Sequence, residues 1–360
     1  MKKLALLLAF SIPVLFTACG PEFNFGDLFG GVTVNVPGST GTLDTEELFG
    51  DILSSTVKPQ PQGKFFAEGD LAITIPSPEK IVITIPDNAF ESGQELLLSD
   101  ASAILDFIGI PSFMTNSDAS YQLCNACLAL EVKDGLNTGV FSSFKLTNTD
   151  TNAAIDAEFA LPEGTGSVDL TFSSDGGFTD DDVVLSTLAT LISPLPESVK
   201  IHDFKFSDHE SKSMTKAGGG NIEIKPTIIV PLGFKKGSTF VVSSTLGKLG
   251  IKVDPDKLKG FGLKTLSAPA TLVNTTPFDF TIVSTGAATV SFPKIKAGSL
   301  ANPTTTTGTI TVDNSKGDLY ENIGNITVTV TATAAEDVSQ LNKNQSVVVT
   351  CADYSVTVSK

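Results

Sequence analysis

Cysteine and histidine are the side chains best suited to redox, metal and acid–base chemistry. This chain uses them sparingly, with four cysteines and two histidines in 360 residues. Cys124-Asn125-Ala126-Cys127 is a C-x-x-C pair. On a helix N-terminus such a pair holds a stabilised thiolate and takes part in thiol–disulfide exchange. Here Leu128, Leu130 and Val132 alternate directly after it, which is the mark of a strand, and no βαβ pattern surrounds it. A structural disulfide between Cys124 and Cys127 in an oxidising compartment is the better expectation. Zinc would need two further ligands, and only Cys351 remains once Cys19 is set aside. Cys351 shares strand parity with Val347 and Val349, so a buried core thiol is expected there.

His202 and His209 stand near Asp203, Asp208 and Glu210, but at no recognised zinc spacing such as H-E-x-x-H. His202 has the parity of Phe204 and Phe206, whereas Asp203 has that of Val199, Ile201 and Lys205. A regular strand would therefore place His202 and Asp203 on opposite faces, and no metal is expected. The acids of Asp175–Asp182 invite calcium, a hard cation needing six or more oxygens. They lack the D-x-[DN]-x-[DN]-G spacing, and acids in a first helical turn complement the helix dipole, so capping is the better reading. No G-x-S-x-G, G-x-x-x-x-G-K-[ST] or G-x-G-x-x-G motif is present. The expectation is a non-catalytic protein with no cofactor.

The elements that position these residues are mostly strands. Leu71, Ile73 and Ile75 alternate with small or polar residues, and Ile81, Val82, Ile83 and Ile85 form a second run. Further strands are expected over 128–132, 138–147, 154–160, 167–173, 199–206, 221–230, 239–244, 278–283, 286–292, 307–313, 325–333 and 345–359. Leu48, Phe49, Ile52 and Leu53 recur at helical spacing after Asp44-Thr45-Glu46-Glu47, which predicts a short helix. Thr179 caps a second amphipathic helix through Ile192, and Asp254–Gly260 suggests one or two turns more. Residues 94–109 read as an apolar, partly helical insertion. Pro76–Ile83 and Pro194–Ile201 both fit P-x-P-E-x-[IV]-x-I, which is either a duplicated module or chance recurrence of a loop-to-strand pattern.

The net charge is −16, and every basic residue is lysine. An acidic chain without guanidinium forks argues against nucleic acid as a partner. The first residues have a different character. Lys2 and Lys3 precede the apolar run Leu4–Phe16, and Phe16-Thr17-Ala18-Cys19 closes it. That order is the n-region, h-region and cleavage site of a secretory signal. The last four residues resemble the lipobox of bacterial lipoproteins, with Phe16 where leucine is commonest. The resemblance implies cleavage before Cys19 and acylation of its thiol and amine. Two or more acyl chains hold a protein stably on a bilayer. Gly20, in place of an aspartate, implies sorting to the outer membrane. Near the other end, Asn274-Thr275-Thr276-Pro277-Phe278 and Leu341-Asn342-Lys343-Asn344-Gln345 look like repeated-sandwich surface lipoproteins, and the first run also resembles the start of the water-stress sandwich domain.

These readings combine into a mainly all-β chain of two Ig-like β-sandwich modules with a few short helices, behind a lipoprotein signal peptide. The expected divisions are 1–18 signal, 19–63 tether with a short helix, 64–193 first sandwich and 194–360 second. The expected role is a lipid-anchored outer-membrane lipoprotein that binds, adheres or supports. Its partners would be membrane lipid through Cys19 and an envelope protein or ligand. A carrier of an apolar ligand and a glycan hydrolase are the alternatives.

Overall fold

The computed structural model describes residues 32–359 apart from 50–51, 54–55, 63–65, 86–95, 125, 135–140, 161–164, 173–190, 192–194, 208–219, 252–261, 285–287 and 315–322. The signal and Cys19, the helix expected from Thr179, the acids of Asp175–Asp182, His209 and the turn at Asp254 lie outside the described residues. The architecture is all-β: antiparallel sheets with two short α-helices, Thr45–Phe49 and Ser112–Thr115, among the described residues. The chain divides into two compact units. One comprises Met1–Asp44, Val241–Ala332 and Ser346–Lys360, and the other Thr45–Phe240 with Thr333–Gln345. The boundary expected at 193/194 therefore falls inside a unit. The strand Ser198–Ser207 shows why: it hydrogen-bonds to Phe141–Asn148, Leu96–Leu98 and Ala103–Asp106, all from before that boundary.

The first unit is organised on Gly262–Asn274, a 13-residue strand. On one side it pairs with Thr304–Asp313, and on the other with both Ser346–Cys351 and Tyr354–Ser359. Pro269 sits in the middle of it without breaking it. Its carbonyl accepts from the N–H of Ala352, so its missing N–H faces the break between those two neighbours, where no ladder bond is lost. Part of the tether expected over 19–63 is sheet. Val32–Val36 pairs with Tyr354–Val358, and Ser39–Asp44 pairs with Ser346–Cys351. Gly41 is needed there because a Cβ at that position would lie 2.5 Å from the Gly250 nitrogen.

The second unit holds two larger sheets. Its six-stranded sheet runs Thr165–Phe172, Ala126–Asp134, Gly220–Pro231, Leu71–Pro76, Val57–Pro59, with Ile81–Ile85 also on Gly220–Pro231. Its five-stranded sheet runs Ala154–Ala160, Phe141–Asn148, Ser198–Ser207, Leu96–Leu98, with Ala103–Asp106 also on Ser198–Ser207. The insertion expected over 94–109 is thus two short strands rather than helix. The two P-x-P-E segments lead into strands of different sheets, Ile81–Ile85 and Ser198–Ser207. The helices bring Phe49 and Phe113 against Phe234, Phe240 and Tyr121, with Phe49 and Phe113 centroids 5.2 Å apart and Phe234 and Phe240 4.7 Å apart. Tilted and edge-on ring pairs of this kind add to the area they bury.

Candidate functional site: a hydroxyl, an imidazole and a carboxylate on one sheet face

The five-stranded sheet has an inner and an outer face. Along Phe141–Asn148 the inner positions are Ser142, Phe144, Leu146 and Asn148, all buried, so Ser143, Lys145 and Thr147 face outward. The neighbouring strand Ser198–Ser207 buries Val199 and Ile201, then Phe204 and Phe206. Two odd-numbered and two even-numbered residues cannot share one face of a regular strand. The chain resolves the conflict with a β-bulge between His202 and Lys205, where Asp203 takes a left-handed φ of 54°. Both His202 and Asp203 then stand on the outer side. This corrects the opposite-face expectation, and its cause is the extra residue of the bulge.

The bulge joins these side chains to the adjacent strand. His202 Nδ1 lies 3.2 Å from Asp203 Oδ2, and His202 Nε2 lies 2.8 Å from Thr147 Oγ1. Lys145, registered opposite His202, places its Nζ 4.0 Å from Asp203 Oδ2. Lys200 is registered opposite Thr147. The His202 side chain retains 20% exposure and that of Asp203 37%, so the group is within reach of solvent and of a large ligand. The hairpin that carries Thr147 is fixed behind it. Asn148 Oδ1 accepts the N–H groups of Asp150 and Thr151, Asn148 Nδ2 donates to Leu191 O, and Asp150 Oδ2 accepts the Glu197 N–H.

The other candidate residues lie elsewhere. Cys124 is buried with its Sγ 3.5 Å from Asp337 O. Cys127 pairs through its backbone opposite Thr171 and Ile229, and its side chain, with the bridge expected to Cys124, lies outside the described residues. Cys351 is a buried thiol, and burial pushes its pKa up. In the first unit an open cleft of about 550 Å³ is lined by Asn35, Pro37, Ser267, Pro269, Asp353 and Tyr354. Burial, with Cys351 nearby, pushes the Tyr354 phenol up to about 12. Asp353 Oδ1 accepts the Gly38 N–H. Among the described residues no group of three His, Cys, Asp or Glu side chains could hold a metal ion, and no helix is long and apolar enough to cross a membrane.

Neither a protein-family model nor a curated protein sequence matches the chain. The fold is similar to a solved one. A crystal structure of a "putative secreted protein" from Parabacteroides distasonis superposes with a TM-score of 0.54 at 12% identity, covering 91% of this chain and 100% of that one. Particles of broad bean stain virus (TM-score 0.18, 9% identity, 83% of this chain and 91% of that one) and infectious bursal disease virus (0.17, 10%, 87% and 78%) superpose too poorly to bear on the fold.

The bulge was legible in principle. Apolar residues at 199, 201, 204 and 206 change parity across a three-residue gap, and that change is the signature of one inserted residue. Thr147 left no such signal, because a threonine on the outer face of a strand is ordinary.

Proposed function

We propose that this chain is an exported bacterial lipoprotein, held at the outer membrane by acyl chains on Cys19, whose β-built body serves a binding, adhesive or structural role. The observation that carries this reading is the pairing of Val32 with Val358. The first described strand begins at Val32, thirteen residues after Cys19, so even a fully extended link would hold it within roughly 45 Å of the acylated sulfur. The signal order of residues 1–19 and the likeness in fold to a protein described as secreted support the same placement. Export also delivers Cys124 and Cys127 to a compartment where a disulfide persists. The partners are membrane lipid through Cys19 and an envelope protein or ligand, and the acidity of the chain disfavours nucleic acid.

A carrier of apolar ligands calls for an enclosed apolar cavity. The cleft beside Tyr354 is open and carries Asn35, Ser267 and Asp353, so it is not a cavity of that kind. A glycan hydrolase calls for two facing carboxylates, and this cleft is lined by Asp353 without a second.

Metabolic labelling with palmitate tests the placement. The wild-type chain is expected to take up label and fractionate with outer membranes, while Cys19→Ala takes up none. Equal labelling of the two proteins, or release of the wild type with an unmodified amino terminus, removes the anchor.

A further inference from the structure

We propose that Thr147, His202 and Asp203 form a nucleophilic centre that hydrolyses short-chain esters, with Thr147 Oγ1 as the attacking atom. This goes beyond the envelope placement and does not depend on it. The connectivity fixes the roles. Asp203 Oδ2 lies 3.2 Å from His202 Nδ1, and a carboxylate at that distance favours the tautomer with its proton on Nδ1 and a lone pair on Nε2. Thr147 Oγ1, 2.8 Å from Nε2, then donates its proton to a base already aimed at it. A nucleophile hydrogen-bonded to a base, itself oriented by a third group, is the general arrangement for covalent acyl transfer.

The bulge at Asp203 and the cations around Thr147 support a reactive rather than a decorative role. Asp203 adopts its left-handed φ of 54° inside a sheet, a strained conformation for a non-glycine residue and one that clusters at functional sites. The bulge is what turns the carboxylate to the side of the sheet that bears Thr147. Thr147 is also flanked by two cations: Lys200 is its cross-strand partner, and Lys145 precedes it by two on the same face. Ammonium groups beside the attacked carbonyl stabilise the negative charge that develops on its oxygen. The outward position suits an ester displayed on a polymer or another surface.

The step balances without any added reagent. Thr147 Oγ1 bonds to the ester carbonyl carbon as its proton passes to His202 Nε2. The bond from the acyl carbon to the alcohol oxygen breaks, and the alcohol departs with that proton. Water then attacks the acyl-threonine, again with His202 as the base. The acid is released, and the threonine hydroxyl is restored.

Hydrolysis of p-nitrophenyl acetate by the purified full chain tests this. The expected result is turnover at least about 100-fold above Thr147→Val and His202→Ala, in line with the usual worth of a positioned base. Thr147→Ser should keep activity, Asp203→Asn should lose it, and acid-quenched samples should carry acetyl on the peptide containing Thr147. Thermal unfolding of each variant, unchanged from the parent, separates chemistry from misfolding. Parent turnover no faster than Thr147→Val, or acetyl found only on lysine, overturns the proposal.

Discussion

Asp279 shows how one side chain can set the pH range over which part of a sheet is stable. Its Oδ1 accepts the Ala297 N–H at 2.8 Å, and its Oδ2 lies 3.2 Å from Lys294 Nζ and 3.4 Å from Lys296 Nζ. Partial burial works to raise its pKa, but the Ala297 N–H and the two lysines outweigh burial, and the net pKa is below the ordinary value. A carboxylate depressed in the folded state stabilises it above the unfolded pKa, about 3.9, and that contribution is lost as pH falls through the lower folded value. Asp279→Asn is therefore expected to cost about 1 kcal/mol near neutrality, mainly through its weakened acceptor. Urea titrations at descending pH should show the gap between wild type and variant closing in acid. A gap that is constant with pH would mean that the charge contributes nothing.

At the scale of elements, what could be read from the sequence depended on whether period-two alternation was carried by large aliphatic side chains. Ile81–Ile85 and Gly220–Pro231 were expected almost to the residue because most of their buried positions are isoleucine and valine. Gly262–Asn274 was not expected, although it is the central strand of its sheet. Its buried positions include Ala268, Ala270 and Asn274, and Pro269 reads as a breaker. Asn274 also explains the Asn-Thr-Thr-Pro-Phe run. It is wholly buried, its Nδ2 donates to Phe278 O and Lys296 O, and its Oδ1 accepts the Thr276 N–H. Asn342 does the like, with Nδ2 donating to Glu68 O and Asp70 Oδ1 and Oδ1 accepting the Asn344 N–H. Both motifs are turn anchors. At the candidate site His202 and Asp203 were noticed but set on opposite faces, because an unbroken period of two was carried through the parity change between Ile201 and Phe204, where the bulge lies. Ser39–Asp44 yields an element-scale test. A Cβ on Gly41 would meet Gly250 backbone at 2.5 Å, and Gly250 at φ +81° would meet Gly41 in the same way. Backbone does not yield as a flexible side chain would, so Gly41→Ala should destabilise by about 1–3 kcal/mol. Amide hydrogen exchange should localise the loss to Ser39–Asp44 and Ser346–Cys351. Unchanged protection there would show that the approach is not tight.

For the molecule as a whole, the two ends of its first unit are one structural feature. Val32–Val36 and Ser39–Asp44 lie beside the last two strands of the chain, so from Val32 onward the chain is part of the sheet. On the proposed anchoring, the length between Cys19 and Val32 sets reach, whereas the paired strands from Val32 onward set stability. Those two quantities can be separated by deletion. Removing 23–30 shortens the link while leaving every described hydrogen bond in place, and the unfolding midpoint of the purified body should stay within about 2 °C of wild type, since surface changes are usually within about 0.5 kcal/mol. Removing 32–44 strips two paired strands, exposes Val347, Val349, Val356 and Val358 along the newly opened edge, and should make the Ser346–Lys360 region a site of early proteolysis. If both deletions leave stability equal, the N-terminal strands are ornament and the folded body begins at Thr45. If the shorter deletion destabilises as much as the longer, the link itself is bound to the body, and the reach drawn from its length is wrong.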